Sequence, residues 1–103
     1  MNKLGLSPET EKRVELLFPP TEWDRVRLIL VEECGENLPL SKGKGDAFFE
    51  RIRFAVLKLS GGEIAKLDKA IRLAKLDWRD LLVASEFAED PQAHHSWLAD
   101  RLG

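Results

Sequence analysis

Two adjacent histidines, His94 and His95, are the side chains of this chain best suited to metal binding or acid–base chemistry. Successive residues of a helix point about 100° apart, so helical neighbours are poorly placed to bind one ion together. A spacing of three or four residues would put both rings on one face, but the chain has no other histidine. The spacing favours a surface pair or a pair in a first helical turn, and we expect no metal site.

The single cysteine, Cys34, could act as a nucleophile only with a base close to it in space. Its neighbours Glu32, Glu33 and Glu36 are acidic and would raise the pKa of the thiol, which lowers its reactivity. Cys34 also continues an apolar stripe at helical spacing, which favours a place in the core. Because no base–nucleophile pair or ligand set is visible, we expect a protein that is not an enzyme and holds no cofactor.

One long segment without periodicity, residues 36–46, contains the glycine-rich stretch 42–46. Glycine amides ahead of a helix start can bind a phosphate, and Lys42 and Lys44 would favour an anion there. Asp46 would repel it, and the P-loop pattern is absent. The composition favours a solvated loop over an anion site.

The rest of the chain has the apolar periodicity of helices, and we predict an all-α protein. The pattern predicts a compact bundle of five or six short helices and no strand. Ser7 before Pro8 is typical of a helix start, and Thr21, Asp46 and Asp77 are candidate N-caps for later helices. The predicted helices cover approximately 8–18, 22–34, 47–59, 64–75, 78–88 and 90–102.

A tight junction separates the two central segments. Ser60 and Glu63 have the S-x-x-E spacing of a capping box, which predicts that Ser60 caps the helix after it. Gly61 and Gly62 between them tolerate backbone angles that other residues avoid. We therefore predict a central antiparallel helical hairpin of 47–59 and 64–75.

Length and composition predict one soluble domain over residues 1–103. The chain is 44% hydrophobic and 33% charged, with a net charge of −2, so no overall positive charge draws it to nucleic acid or to an anionic membrane. No apolar run is long enough to span a bilayer, and the N-terminus lacks the pattern of a signal peptide. With a single cysteine, this favours a cytoplasmic protein.

Two candidate surfaces remain. The predicted helix 47–59 is apolar on more than one side, which is typical of a central helix or of one that meets a partner. Residues 41–82 carry ten basic and six acidic side chains, so the middle of the chain is locally positive. The apolar candidate surface comprises Phe54, Leu57, Val83 and Phe87. The basic candidate surface comprises Arg51, Arg53, Lys58, Lys66, Lys69 and Arg72.

The stretches 54–60 and 76–84 make the chain resemble a family of small uncharacterised bacterial proteins that are wholly helical. The resemblance covers roughly residues 22–98 and depends on helix-building residues, with no chemical motif. It implies a compact helical bacterial domain. It implies no activity, cofactor or functional residue.

These observations lead to a functional hypothesis. We expect a non-enzymatic helical module that binds a protein partner or a second copy of itself through the apolar candidate surface. The alternative is a nucleic-acid-associated accessory protein that uses the basic segment 42–79. Its predicted helix 64–75 lacks the Asn, Gln and Ser typical of base-reading helices, which disfavours the alternative.

Overall fold

The computed structural model describes residues 6–35, 38, 43–90 and 93–99, and this part of the chain is all-α without a strand. Two 3-10 turns accompany the helices, at Pro20–Glu22 and Ala93–Ser96; we call the second one the histidine turn. No helix among these residues has the length and apolarity needed to cross a membrane. The four α-helices are α1 (Pro8–Leu17), α2 (Trp23–Glu33), α3 (Asp46–Ser60) and α4 (Ile64–Ser85).

The predicted start of α1 is confirmed. Ser7 is the N-cap, its Oγ accepts a hydrogen bond of 3.1 Å from the amide of Thr10, and Pro8 is the first helical residue. The amide that Ser7 Oγ satisfies is one of the four that a helix start leaves without an internal partner.

Three other predicted caps are wrong. Ser60 is the last residue of α3: its Oγ donates to the carbonyl of Leu57 and accepts from the amide of Gly62. The N-cap of α4 is instead Glu63, whose side chain makes no capping bond. Asp46 lies one residue inside α3, and Thr21 belongs to the 3-10 turn before α2. Each of these starts has a backbone bond of the tighter i→i+3 type, from Glu63 to Ser60, from Phe48 to Gly45 and from Glu22 to Pro19.

The predicted count of five or six helices is not confirmed by the described residues, which form four α-helices. The predicted break at Asp77 is present as a kink within α4, where Asp77 has φ −163° and ψ 106°. Asp77 Oδ1 accepts from the amide of Arg79, as a capping side chain would. Of the predicted last helix, 90–102, the structure describes residue 90 and residues 93–99, and these contain the 3-10 turn Ala93–Ser96 and no α-helix.

The core is built around α3. Seven of its residues are buried, and α3 contacts α1, α4 and the histidine turn, with α4 as its most extensive neighbour. The link between α3 and α4 uses Gly61 and Gly62, both with positive φ. A Cβ at Gly62 would lie 2.5 Å from the carbonyl oxygen of Leu17, so the end of α1 packs directly on this link.

Candidate functional site

The predicted apolar surface is wrong for three of its four members. Phe54 and Leu57 are fully buried and Phe87 is 3% exposed, whereas Val83 is 66% exposed. A helix that packs on α1, α4 and the histidine turn is covered on nearly every side, so its second apolar face belongs to the core. The second apolar face of α3 therefore gives no evidence of an external partner.

Phe87 is buried because of how α4 ends. Glu86 adopts the left-handed conformation (φ 69°), and the amide of Phe87 donates to the carbonyl of Leu82 while that of Glu86 donates to Val83. This is the hydrogen-bond pattern of a Schellman motif, which reverses the chain after a helix. The reversal turns the Phe87 ring back onto the core.

The predicted basic surface divides into two groups. Arg51, Arg53 and Lys58, on α3, donate hydrogen bonds to main-chain carbonyls near the ends of neighbouring helices. Cations at helix C-termini satisfy free carbonyls and oppose the negative end of the dipole. Their assignment to an open basic surface is therefore wrong.

The other three predicted basic residues, Lys66, Lys69 and Arg72, are exposed on α4. Lys66 pairs with Glu63 at 2.9 Å, and Arg72 pairs with Asp68 at 2.7 Å. Two of the three positive charges thus have carboxylate partners on the same helix or beside it. A locally positive patch remains, but it is smaller than the sequence predicts.

An apolar groove of about 470 Å³ lies beside this patch, between the end of α3 and the first turns of α4. The groove wall comprises Leu59, Ala70 and Leu73, with Lys66 and Lys69 at the rim. Leu76, one turn beyond Leu73 on α4, is 82% exposed, the largest exposed fraction among the described large apolar side chains. We call the groove and Leu76 together the α4 groove.

Cys34 is confirmed as a core residue, because it is fully buried. Burial raises the pKa of its thiol to about 12, with a further increase from Glu33 that Arg53 and Lys75 oppose. A thiol with this pKa carries almost no thiolate near neutral pH, so it is a poor nucleophile.

The histidine turn brings His94 and His95 together at Glu50, although their helical spacing predicts that they do not converge. The rings of His94 and His95 lie with their centroids 4.0 Å apart, and both face Glu50 of α3. Glu50 Oε1 is 3.9 Å from His94 Nε2 and 3.9 Å from His95 Nδ1. The prediction that the pair cannot converge considered one helix alone, whereas here a neighbouring helix supplies the common point.

Arg13 of α1 holds the histidine turn in place. Arg13 is 1% exposed, and its guanidinium donates to the carbonyls of Trp97 (2.7 and 3.0 Å) and His95 (3.3 Å). It also lies 4.2 Å from the centre of the Phe54 ring, within cation–π range. Arg13 thus connects α1, α3 and the histidine turn at one point.

His94 is the buried member of the cluster, at 2% exposure. Its ring makes edge contacts with Phe54 and Phe87, and neither ring nitrogen has a hydrogen-bond partner among the described residues. Leaving a buried polar group without a partner costs about 1–3 kcal/mol. Burial, reinforced by the nearby charges of His95 and Arg51, lowers the pKa of His94 to about 4, so the ring is neutral near pH 7.

Sequence reasoning missed Arg13 and Glu50. Nothing in the spacing of α1 distinguishes Arg13 from a solvated arginine. Glu50 had a usable signal: it precedes Phe54 by four residues and therefore lies on the same face of α3. Whatever segment covers Phe54 must also come close to Glu50.

Comparison of the chain with protein-family models, with curated proteins and with solved structures finds no match. The α4 groove and the cluster at the histidine turn are therefore the features of this chain that bear on its function.

Proposed function

We propose that this protein is a non-enzymatic helical interaction module whose binding surface is the α4 groove. The single observation that carries the proposal is an apolar groove continued by the highly exposed Leu76. Burying that side chain against a partner would gain free energy of about 1.5–3 kcal/mol, which the isolated chain does not gain. Apolar groups left in water next to a groove are typical of docking surfaces.

The rim determines the kind of partner. Lys66 and Lys69 flank the apolar wall, and Lys69 makes no ion pair with the described residues. An amphipathic helix with leucine-like anchors and acidic flanks would match both the wall and the rim. We therefore propose an acidic amphipathic segment of a partner protein as the occupant.

The proposal includes the predicted hairpin. It takes α3 and α4 as an antiparallel pair around residues 60–63, with the groove on its outer side. It also keeps the predictions of a single domain, of a cytoplasmic location and of self-association as one way to fill the groove. Nucleic acid is left out of the proposal because Arg51, Arg53 and Lys58 contact carbonyls of the protein itself.

A pair of designed peptides tests the proposal. Both carry leucines at helical spacing; one has glutamates and the other lysines beside them, and binding is followed by fluorescence anisotropy. We expect the acidic peptide to bind, with affinity falling as salt rises. Leu76→Asp should weaken binding by roughly tenfold or more, which corresponds to the loss of one buried leucine. Equal binding of the two peptides would contradict the proposal that Lys66 and Lys69 select an acidic partner.

Leu28→Asp is the matched control, because Leu28 is also exposed but lies on α2. It should leave peptide binding unchanged. Sedimentation velocity of the wild-type chain and of Leu76→Asp tests self-association: a dimer that Leu76→Asp dissociates would assign the groove to a second copy.

A further inference from the structure

The cluster at the histidine turn is independent of the α4 groove and lies on the N-terminal half of α3. It is the one place in the described part of the chain where three ligand-type side chains gather within a few ångströms. It also contains a buried imidazole whose two nitrogens have no partner there. These are separate observations, one of geometry and one of unsatisfied polarity, and both concern the same point.

We propose that Glu50, His94 and His95 form a binding site for a divalent transition-metal ion of the Zn²⁺ type. Each residue offers one ligand atom, and the three atoms lie within 4.8 Å of one another. With metal–ligand bonds of about 2.0–2.1 Å in tetrahedral geometry, ligand atoms stand roughly 3.4 Å apart. The site therefore needs to contract by about 1.4 Å at most to close around an ion.

The residues that must move are the ones free to do so. His95 has a side chain that is half exposed, and the Glu50 side chain is 21% exposed, so both can rotate toward an ion entering from solvent. His94 is fixed between aromatic rings, with Nε2 facing Glu50. An ion at this nitrogen would supply the partner that the buried ring lacks.

The ligand set identifies the class of ion. Two imidazoles and one carboxylate suit Zn²⁺ and its neighbours in the first transition row, whereas Mg²⁺ and Ca²⁺ prefer oxygen ligands alone. Three protein ligands leave a fourth position for water, an arrangement that open zinc sites share.

Two features of the surroundings limit the affinity. The guanidinium groups of Arg13 and Arg51 lie close enough to disfavour positive charge at His94. Nδ1 of His94 also has no carboxylate or carbonyl acceptor among the described residues, whereas zinc-bound histidines usually have one. We therefore expect weaker binding than at a structural zinc site with four protein ligands.

Titration of the whole chain, freed of metal with a chelator, with ZnCl₂ tests the site by calorimetry at neutral pH. The chain has only two histidines, and its one cysteine is buried, so strong zinc binding has no other evident source. We expect one Zn²⁺ per chain, binding that excess Mg²⁺ does not displace, and a higher unfolding temperature that EDTA reverses. CoCl₂ should give the intense visible absorption of four- or five-coordinate cobalt.

Two variants remove ligands that the fold can spare. His95→Ala should weaken Zn²⁺ binding by more than roughly 100-fold, since losing an outer partner of a ligand alone costs 10–100-fold. Glu50→Gln keeps the shape but loses the charge and should weaken binding by roughly tenfold or more. Glu63→Gln, an exposed carboxylate beyond the other end of α3, is the matched control and should bind like the wild type.

If the wild-type chain takes up no stoichiometric Zn²⁺, the cluster is not a metal site. If His95→Ala and Glu50→Gln bind as tightly as Glu63→Gln, the metal binds elsewhere. Neither outcome depends on the α4 groove, so this test stands apart from the peptide experiment.

Discussion

Phe54 on α3 and Leu76 on α4 are both large apolar residues among charged neighbours, yet one is fully buried and the other is 82% exposed. Around Phe54, the chain itself supplies the cover: Arg13 from α1 and two aromatic rings of the C-terminal segment lie against the phenyl ring. Leu76 immediately precedes the kink at Asp77 and receives no such cover. An apolar residue on a charged helix face therefore indicates a binding partner only where no other segment of the chain packs on it.

The largest expected effect tests this contrast directly. Phe54→Ala should lower the free energy of unfolding by roughly 3–5 kcal/mol, because it leaves a cavity among tightly packed groups. Leu76→Ala should change it by less than about 0.5 kcal/mol, since that side chain is 82% exposed. Urea denaturation of both variants measures the difference. Similar values for the two would mean that the cover over Phe54 is loose.

Removal of the residue that holds the cover comes second. Arg13→Met keeps most of the side-chain volume but leaves the carbonyls of Trp97 and His95 without their donor. We expect a loss of roughly 2–4 kcal/mol, since hydrogen bonds to charged groups are worth about 1.5–3 kcal/mol each and the lost methylene contacts are few. Arg72→Met, at a side chain that is 76% exposed, is the control and should be nearly neutral. If Arg13→Met and Arg72→Met unfold at the same urea concentration, Arg13 does not hold the C-terminal segment in place.

Acid should lower the free energy of unfolding through the protonation of His94. The pKa of His94 is about 4 in the folded chain and 6.5 in the unfolded one, so between these values the unfolded state binds more protons. Stability from this group is complete above pH 6.5 and is lost as the pH falls toward 4, by on the order of 2 kcal/mol at pH 5. Urea melts at pH 7 and pH 5, with EDTA present, measure the change. In His94→Gln, the loss of stability between these two pH values should be clearly smaller than in the wild type. If the variant loses as much stability as the wild type, the loss comes from carboxylates and not from His94.

The last comparison is between two glycines at the end of the pair α3 and α4 nearest the groove, and its smaller member has the smallest expected effect. Gly62→Ala places a Cβ against the carbonyl of Leu17 at positive φ, and we expect a loss of roughly 1–3 kcal/mol. Gly61→Ala shares the positive φ but meets open space, so it should cost less, about 1 kcal/mol. The difference between the two thermal midpoints isolates the contact with α1. If the two variants melt together, α1 does not hold this end of the molecule.

Local features were predictable from the sequence where one segment decides them. The cap at Ser7, the break at Asp77 and the buried Cys34 each depend on a few neighbouring residues. The capping box at Ser60 and Glu63 has the right spacing but fails, because α3 continues through Ser60 and uses its hydroxyl at its own end. A spacing motif specifies which bonds are possible and leaves open which helix makes them.

The sites were less predictable because they join distant segments. Phe54 and Phe87 looked like an external surface since the sequence does not reveal that residues 93–97 fold over them. The meeting of Glu50 with the histidine pair has the same cause: a separation of more than forty residues is invisible to helical periodicity. What could have been inferred was narrower, namely that Glu50 and Phe54 share a face.

The bonds from Arg13 join residues 84 and 82 positions apart in the chain. During synthesis, α1 leaves the ribosome early with Arg13 able to bind the carbonyl of Glu9 in its own helix, whereas the carbonyls of His95 and Trp97 follow 82 and 84 residues later. The groups that cover Phe54 are therefore all present only after residues 93–97 have been made. Contacts of such long range slow folding, because the loop between them must close before they form.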